Sequence, residues 1–119
     1  MKVVIFEDNS NIQILLKYFF QKRGFTVHIS GDGVEAVSVV REQSPDIIMM
    51  DIIMPGKSGI EACGDLRQAG VKTPIVFLTS KAYAEDEEFA RKAGADAYLL
   101  KPFNSAQLES TITPLLKKS

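Results

Sequence analysis

Five short apolar runs, rich in β-branched residues, alternate along the chain with segments whose apolar residues recur at helical spacing. The clearest run is Ile47–Met50, which stands between Asp46 and Asp51. A continuously apolar run of this kind is typical of a strand covered on both faces, as in the middle of a parallel sheet. Five strand–helix units with short connections predict an α/β domain with a doubly wound parallel sheet, although periodicity alone leaves the strand order open.

The bounds of the predicted elements follow from this alternation. Strands are expected at Val3–Phe6, Phe25–Ser30, Asp46–Asp51, Pro74–Thr79 and Ala97–Leu100. The first four helices are expected at residues 9–23, 33–42, 58–69 and 85–93. The first helix can be capped by Asp8, Asn9 or Ser10. Its predicted inner face consists of Ile12, Leu15, Leu16, Phe19 and Phe20.

The last predicted helix begins after Asn104 and contains Pro114. Proline removes one intrahelical hydrogen bond and costs about 3 kcal/mol in a helix interior. The helix therefore either ends near Ile112 or continues with a kink at the proline. We favour the kink, because burial of Leu115 and Leu116 would recover roughly 1.5–3 kcal/mol each.

Composition limits the class of protein. The length of 119 residues suits one domain spanning residues 1–119, and 14 basic against 15 acidic residues give a net charge of -1. This balance gives no reason to expect nucleic acid or an anionic membrane as a direct partner. No segment approaches the roughly 18 apolar residues of a membrane span. Cys63 is the only cysteine, so an internal disulfide is impossible and a cytoplasmic location is favoured.

Chemically competent side chains stand at the ends of four of the predicted strands. They are Glu7 and Asp8, Asp51, Thr79, and Lys101. Because ligands of open α/β sheets bind beyond the carboxyl ends of the strands, these groups are expected to share one crevice. Three converging carboxylates require a cation, and oxygen ligands without His or Cys favour Mg²⁺. Together with a lysine and a hydroxyl, they are suited to phosphoryl transfer.

Four segments carry a resemblance to a known family. They are Phe6-Glu7-Asp8, Asp46–Gly59 (DIIMMDIIMPGKSG), Leu78-Thr79-Ser80 and Tyr98–Phe103 (YLLKPF). In this order, and over the whole chain, they resemble the receiver domains of response regulators in two-component signalling. The resemblance implies a flavodoxin-like (βα)5 fold with the strand order 2-1-3-4-5.

The resemblance also implies residue roles. Asp51 would be the phosphoacceptor, and Lys101 would pair with the phosphoryl oxygens. After phosphorylation, Thr79 would move onto the phosphoryl group and Tyr98 would turn inward behind it. These two are the switch residues that the family implies. The Mg²⁺ ligands implied by the family are Glu7, Asp8, Asp51 and the backbone carbonyl of Ile53. The Lys101–Pro102 bond is expected to be cis.

The implied function is that of a phosphoacceptor rather than an enzyme, although such a domain assists its own phosphorylation and dephosphorylation. The donor would be a histidine kinase or a phosphotransfer protein. Phosphorylation would change the surface formed by the fourth helix, the fifth strand and the fifth helix, and the resemblance allows a homodimer through that surface. The sequence leaves the downstream target or output domain open.

Two other functions remain to be weighed. A pseudo-receiver would bind partners without phosphorylation, but such proteins usually lose the acid pair, the acceptor or the lysine, all of which are present. A P-loop or flavodoxin-like enzyme is suggested by Gly56-Lys57-Ser58, which matches the end of a P-loop. Its required first glycine falls on Asp51, however, and this argues against nucleotide binding.

Three further features have ordinary structural interpretations. His28 is expected to be a solvated histidine, and Cys63 a small core residue. The acidic run Glu85–Glu88 is expected to be a solvated helix start, with a partner-recognition patch as the alternative.

Overall fold

The computed structural model describes residues 1–80 and 91–116. Its strands are β1 (Lys2–Phe6), β2 (Thr26–Ser30), β3 (Ile47–Asp51), β4 (Ile75–Thr79) and β5 (Ala97–Leu100). Its helices are α1 (Ser10–Lys22), α2 (Ala36–Gln43), α3 (Gly59–Gln68) and a C-terminal helix (Ser105–Leu116). Residues 91–93 are helical, but the rest of the predicted fourth helix, with the Glu85–Glu88 run, lies outside the described residues. None of the described helices is long and apolar enough to cross a membrane.

The five strands form one parallel sheet in the order β2-β1-β3-β4-β5. This confirms the α/β class and the flavodoxin-like strand order. β3 lies between β1 and β4, and all five of its residues are buried. The apolar run that predicted a central strand is therefore in the centre of the sheet, where both faces are covered.

Two apolar layers cover the sheet, because successive side chains of a strand point to opposite faces. On one face, Ile48 and Met50 pack with the inner side chains of α2 and α3. On the other face, Ile47 and Met49 pack with those of α1 and the C-terminal helix. Helices on both faces make this a doubly wound domain.

The first helix begins as predicted but buries a narrower face. The side chain of Asn9, one of the three candidate caps, accepts hydrogen bonds from the backbone N–H groups of Asn11 and Ile12. Leu16 is fully buried, whereas Leu15 is 42% exposed, so the prediction that Leu15 faces the core was wrong. Leu15 lies at the edge of the apolar face, where it lines a groove with Pro102 and Phe103.

The start of α3 is packed directly against the end of β3. Ser58 and Glu61 form a capping box there, each side chain bonding the other residue's backbone. The N–H of Gly59 donates to the carbonyl of Ile52 at 2.7 Å. A Cβ atom at Gly59 would lie 2.2 Å from the carbonyl oxygen of Asp51, so only glycine permits this approach. The contact fixes the backbone of Asp51.

The C-terminal helix continues past its proline. Asn104 and Gln107 cap its start reciprocally, with both side chain-to-backbone distances at 2.9 Å. Pro114 lies inside the helix, and Leu115 is buried. The alternative that the helix ends near Ile112 was therefore wrong, and burial of apolar residues outweighs the lost hydrogen bond. The kink itself stays a prediction.

Candidate functional site

A cavity of about 350 Å³ opens at the carboxyl edge of the sheet. Its lining contains all five side chains that the strand ends were predicted to bring together: Glu7, Asp8, Asp51, Thr79 and Lys101. Five further residues line it: Asn9, Ile12, Ile52, Ile53 and Ser80. The convergence follows from the parallel topology, since the strand ends on one edge face the same crevice.

The acidic cluster consists of Glu7, Asp8 and Asp51. One carboxylate oxygen from each residue lies within 4.8 Å of those of the other two. Glu7 is completely buried and Asp51 is buried, whereas Asp8 is exposed. Carboxylates this close repel one another unless a positive charge stands between them.

A cation would fit this cluster. Glu7 Oε1 is buried and, among the described residues, has no hydrogen-bond partner. Lys101 Nζ lies 2.8 Å from it, which is an ion-pair distance, but the direction does not make a well-formed hydrogen bond. The donor set is made of hard oxygen atoms only, which suits Mg²⁺. The residues present therefore fit the predicted metal.

The one ammonium group in the described lining of the cavity belongs to Lys101. Its Nζ lies 2.9 Å from Asp51 Oδ2 and 2.8 Å from Glu7 Oε1. Burial lowers the pKa of this ammonium, but the contacts with the Glu7 and Asp51 carboxylates together outweigh burial and raise the pKa above its usual value. Lys101 therefore supplies a fixed positive charge at neutral pH.

The environment of Glu7 opposes its ionisation. Burial raises the pKa of its carboxyl above the usual value, and the neighbouring Asp51 raises it further. The Lys101 ammonium and the backbone N–H of Asn9, 3.1 Å from Oε2, act in the opposite direction. A bound cation would likewise favour the carboxylate form.

Both oxygens of Asp51 are engaged. Oδ1 accepts a hydrogen bond from the backbone N–H of Ile53 at 3.1 Å, and Oδ2 accepts one from Lys101. These contacts hold the carboxylate at the base of the cavity. The Ile53 side chain is 56% exposed at its rim. The ligand role of the Ile53 carbonyl stays a prediction.

The two residues predicted to form the switch lie on neighbouring strands. Thr79 is buried at the end of β4, and its hydroxyl donates to the carbonyl of Ser80 at 3.2 Å. Tyr98 is half-buried on β5, packs against the core layer under α2 and α3, and does not line the cavity. Their switch roles stay predictions. The Lys101–Pro102 bond is cis, as the resemblance implies.

Three other residues lie away from the cavity. Lys57, in the P-loop-like segment, pairs with Asp65. His28 is half-buried on β2 rather than fully solvated. Cys63 is completely buried, as predicted, and its thiol donates to the carbonyl of Ala93 at 3.3 Å. Burial raises the pKa of this thiol to about 11.

One contact to the acid pair was missed by the sequence reasoning. The side-chain amide of Gln13, on α1, donates to the backbone carbonyl of Glu7. No sequence pattern marks such a contact, because it depends on the shape of the turn between β1 and α1.

Comparison with known proteins agrees with this geometry. Residues 3–113 match the family described as the response regulator receiver domain. The BeF3-activated N-terminal receiver domain of Klebsiella pneumoniae RstA has a similar structure, with a TM-score of 0.91 and 30% identity over 99% of this chain and 100% of that chain.

Two further solved structures are similar. One is the receiver domain of the sensor histidine kinase PA1611 from Pseudomonas aeruginosa PAO1, which has a magnesium ion coordinated in its active-site cleft. It gives a TM-score of 0.86 and 31% identity over 97% of this chain and 96% of that chain. The other is the Vibrio cholerae chemotaxis protein CheY4, with a TM-score of 0.87 and 29% identity over 96% and 97%. The chain therefore belongs to the receiver-domain family of two-component response regulators.

Proposed function

We propose that this domain accepts a phosphoryl group on Asp51 from a phosphohistidine of a histidine kinase or phosphotransfer protein, in a reaction that requires Mg²⁺. The observation that carries the proposal is the position of Asp51. Its carboxylate lines an open cavity, 2.9 Å from the Lys101 ammonium, and an oxygen of each of two further carboxylates lies within 4.8 Å.

The proposed reaction is a direct transfer. A carboxylate is an anion at neutral pH and needs no general base to attack phosphorus. One oxygen of Asp51 forms a bond to phosphorus while the bond from phosphorus to the donor imidazole nitrogen breaks. The products are an acyl phosphate on Asp51 and a free imidazole on the donor. The protein contributes position and charge rather than a proton relay.

The remaining site residues are assigned by what they can supply. Glu7, Asp8, Asp51 and the carbonyl of Ile53 would hold Mg²⁺, which supplies charge neutralisation for the phosphoryl oxygens. Lys101 already lies beside Asp51 and would pair with a phosphoryl oxygen after transfer. The Thr79 hydroxyl can exchange its bond to Ser80 for one to that group.

The proposed consequence of phosphorylation is a change at the surface. Thr79 pairs in register with Leu100, and Tyr98 pairs with Phe77, so β4 and β5 connect the two switch residues. Movement of Thr79 would let Tyr98 turn inward. This would alter the surface formed by the helix expected at residues 85–93, β5 and the C-terminal helix, which we propose as the surface for a downstream partner or a homodimer.

Location in the cytoplasm stays a prediction. The alternative of a pseudo-receiver that binds partners without phosphorylation is less well supported, because the acid pair, Asp51 and Lys101 all line one cavity.

Labelling with a small acyl phosphate tests the proposal. In Mg²⁺, the wild-type protein should gain one acid- and hydroxylamine-sensitive phosphoryl group, and Asp51→Asn should gain none. Asp46→Asn is the matched control, because Asp46 bounds the same strand but is exposed outside the cavity. Equal labelling of Asp51→Asn and wild type would refute the assignment.

A further inference from the structure

The side chain of Gln13 connects α1 to the backbone of the acid pair. Its Nε2 donates to the backbone carbonyl of Glu7 at 2.5 Å, and the residue is half-buried. Its own backbone N–H donates to the carbonyl of Asn9 at 3.0 Å, in the first turn of α1. The backbone of Gln13 is therefore part of α1, and its side chain contacts the turn between β1 and α1.

The two acids that this turn presents are held very differently. Glu7 is fixed at its N–H, which donates to the carbonyl of Ser30 at 3.0 Å, and at its carboxylate, which contacts Asn9 and Lys101. In residues 1–80 and 91–116, by contrast, no hydrogen bond or ion pair involves the exposed carboxylate of Asp8. Among the described residues, the Asp8 carboxylate is therefore restrained only through its own backbone.

The Gln13 contact acts on that backbone. The carbonyl of Glu7 belongs to the peptide unit that joins Glu7 to Asp8, and a peptide unit is planar and rigid. A hydrogen bond to its oxygen therefore also restrains the Cα of Asp8, from which the exposed carboxylate extends. Without the amide, the buried carbonyl of Glu7 would lose this partner, and the turn would rotate to hydrate it.

We infer that Gln13 is a positioning residue for the metal site, which directs the Asp8 carboxylate into the cavity by fixing the Glu7–Asp8 peptide. The inference rests on the proposed Mg²⁺-dependent function. Mg²⁺ demands a near-ideal octahedral arrangement of its ligands, so a carboxylate that samples several directions binds it less well. Loss of the Gln13 amide should therefore reduce the free energy of Mg²⁺ binding more than it reduces the free energy of unfolding.

The test is Mg²⁺ affinity, measured by calorimetric titration of the unphosphorylated protein. Gln13→Met keeps the length of the side chain and removes the donor. Gln21→Met is the matched control, because Gln21 lies exposed in the last turn of the same helix. Changes to groups that orient metal ligands typically cost 10–100-fold in affinity, and we expect Gln13→Met to raise the Kd for Mg²⁺ about tenfold. Gln21→Met should keep the wild-type value.

Phosphorylation by a small acyl phosphate separates positioning from a general structural role. For Gln13→Met, the rate should be low at limiting Mg²⁺ and return to the wild-type value at saturating Mg²⁺. An unchanged Kd, or a rate that stays low at every Mg²⁺ concentration, would overturn the inference. A wild-type protein that neither binds Mg²⁺ nor accepts phosphoryl would instead show that the proposed function fails, and the inference with it.

A measurement on the wild-type protein covers the case in which Gln13→Met does not fold. The side-chain amide NMR signals of Gln13 and Gln21 can be followed during a Mg²⁺ titration. The Gln13 signal should shift with the same Kd as binding, and the Gln21 signal should stay in place. A Gln13 signal that does not shift during the Mg²⁺ titration would contradict the inference.

Discussion

Lys101 Nζ lies 2.9 Å from Asp51 Oδ2, although the strands that present the two residues are separated by β4. The contact spans the carboxyl edge of the sheet and places a permanent positive charge beside the proposed acceptor. The same ammonium lies 2.8 Å from the buried Glu7. Lys101 therefore forms ion pairs with two of the three acids.

Removal of this charge should slow phosphorylation. We expect Lys101→Met to lower the rate of labelling by a small acyl phosphate at least about 100-fold, since loss of one preorganised donor typically costs about 10²–10³. Lys57→Met is the control, because Lys57 pairs with Asp65 away from the cavity. The role given to Lys101 would be wrong if both variants were labelled at the wild-type rate.

Mg²⁺ should stabilise the fold through Asp8. A ligand at ten times its Kd adds about 1.4 kcal/mol to the free energy of unfolding, which raises the Tm of a domain of this size by a few degrees. Asp8→Ala should lose this increase, and the exposed Asp46→Ala, outside the cavity, should keep it. Thermal unfolding with and without Mg²⁺ measures the effect. An undiminished increase in Asp8→Ala would exclude Asp8 as a ligand.

The buried thiol of Cys63 predicts a pH dependence of stability. Folding raises the pKa of this group from 9.0 to about 11, because burial disfavours the thiolate. The neutral thiol is therefore favoured in the fold, and stability should fall as the pH rises from 9.0 to about 11. This rise in the pKa of Cys63 corresponds to a loss of at most about 2–3 kcal/mol in the free energy of unfolding.

Urea unfolding below and above this window, compared between wild type and Cys63→Ala, measures the contribution. Below this window, the free energy of unfolding of Cys63→Ala should be lower than that of wild type, because the substitution leaves a small cavity. As the pH rises, the free energy of unfolding should fall less in Cys63→Ala than in wild type. Parallel losses in the two proteins would show that Cys63 does not titrate as described.

Arg67 should be a major determinant of stability. Its guanidinium donates to four acceptors: the carbonyls of Val71, Thr73 and Gly94 and the carboxylate of Asp96, all at 2.8–2.9 Å. Arg67 therefore ties α3 to the turn before β4 and to the segment before β5.

We expect Arg67→Met to lower the free energy of unfolding by about 3 kcal/mol or more, because hydrogen bonds from charged groups contribute about 1.5–3 kcal/mol each and are not additive. Arg41→Met should lose less than about 1 kcal/mol, since Arg41 is exposed and its hydrogen bond to the carbonyl of Ala69 is long, at 3.4 Å. Similar losses in urea unfolding of the two variants would count against this assignment.

The sequence predicted the parts of the fold that depend on pattern and topology. The apolar run before Asp51 marked the central strand, and the parallel arrangement then required Glu7, Asp51 and Lys101 to meet at one edge. The strand order came from the family resemblance. The apolar pattern of a strand such as β3 or β4 does not depend on which strands lie beside it, so periodicity alone could not give the order. Cys63 was predicted to be a small core residue, and it is completely buried.

Tertiary contacts outside the pattern account for what was missed. Leu15 has the correct spacing for the core, but the width of the buried face of α1 is set by the packing of neighbouring elements, and Leu15 lies beyond its edge. The bond from Gln13 to the Glu7 carbonyl depends on the geometry of a turn, which residue types do not specify. Contacts of this kind become visible only in three dimensions.

The most direct test of the central claim is to locate the phosphoryl group. The wild-type protein is incubated with Mg²⁺ and a small acyl phosphate and then reduced with borohydride, which converts an aspartyl phosphate to homoserine. Mass spectrometry of the peptides then identifies the modified position. We predict homoserine at Asp51 and at no other aspartate. Homoserine at another aspartate, or at none, would contradict the assignment of Asp51 as the phosphoacceptor.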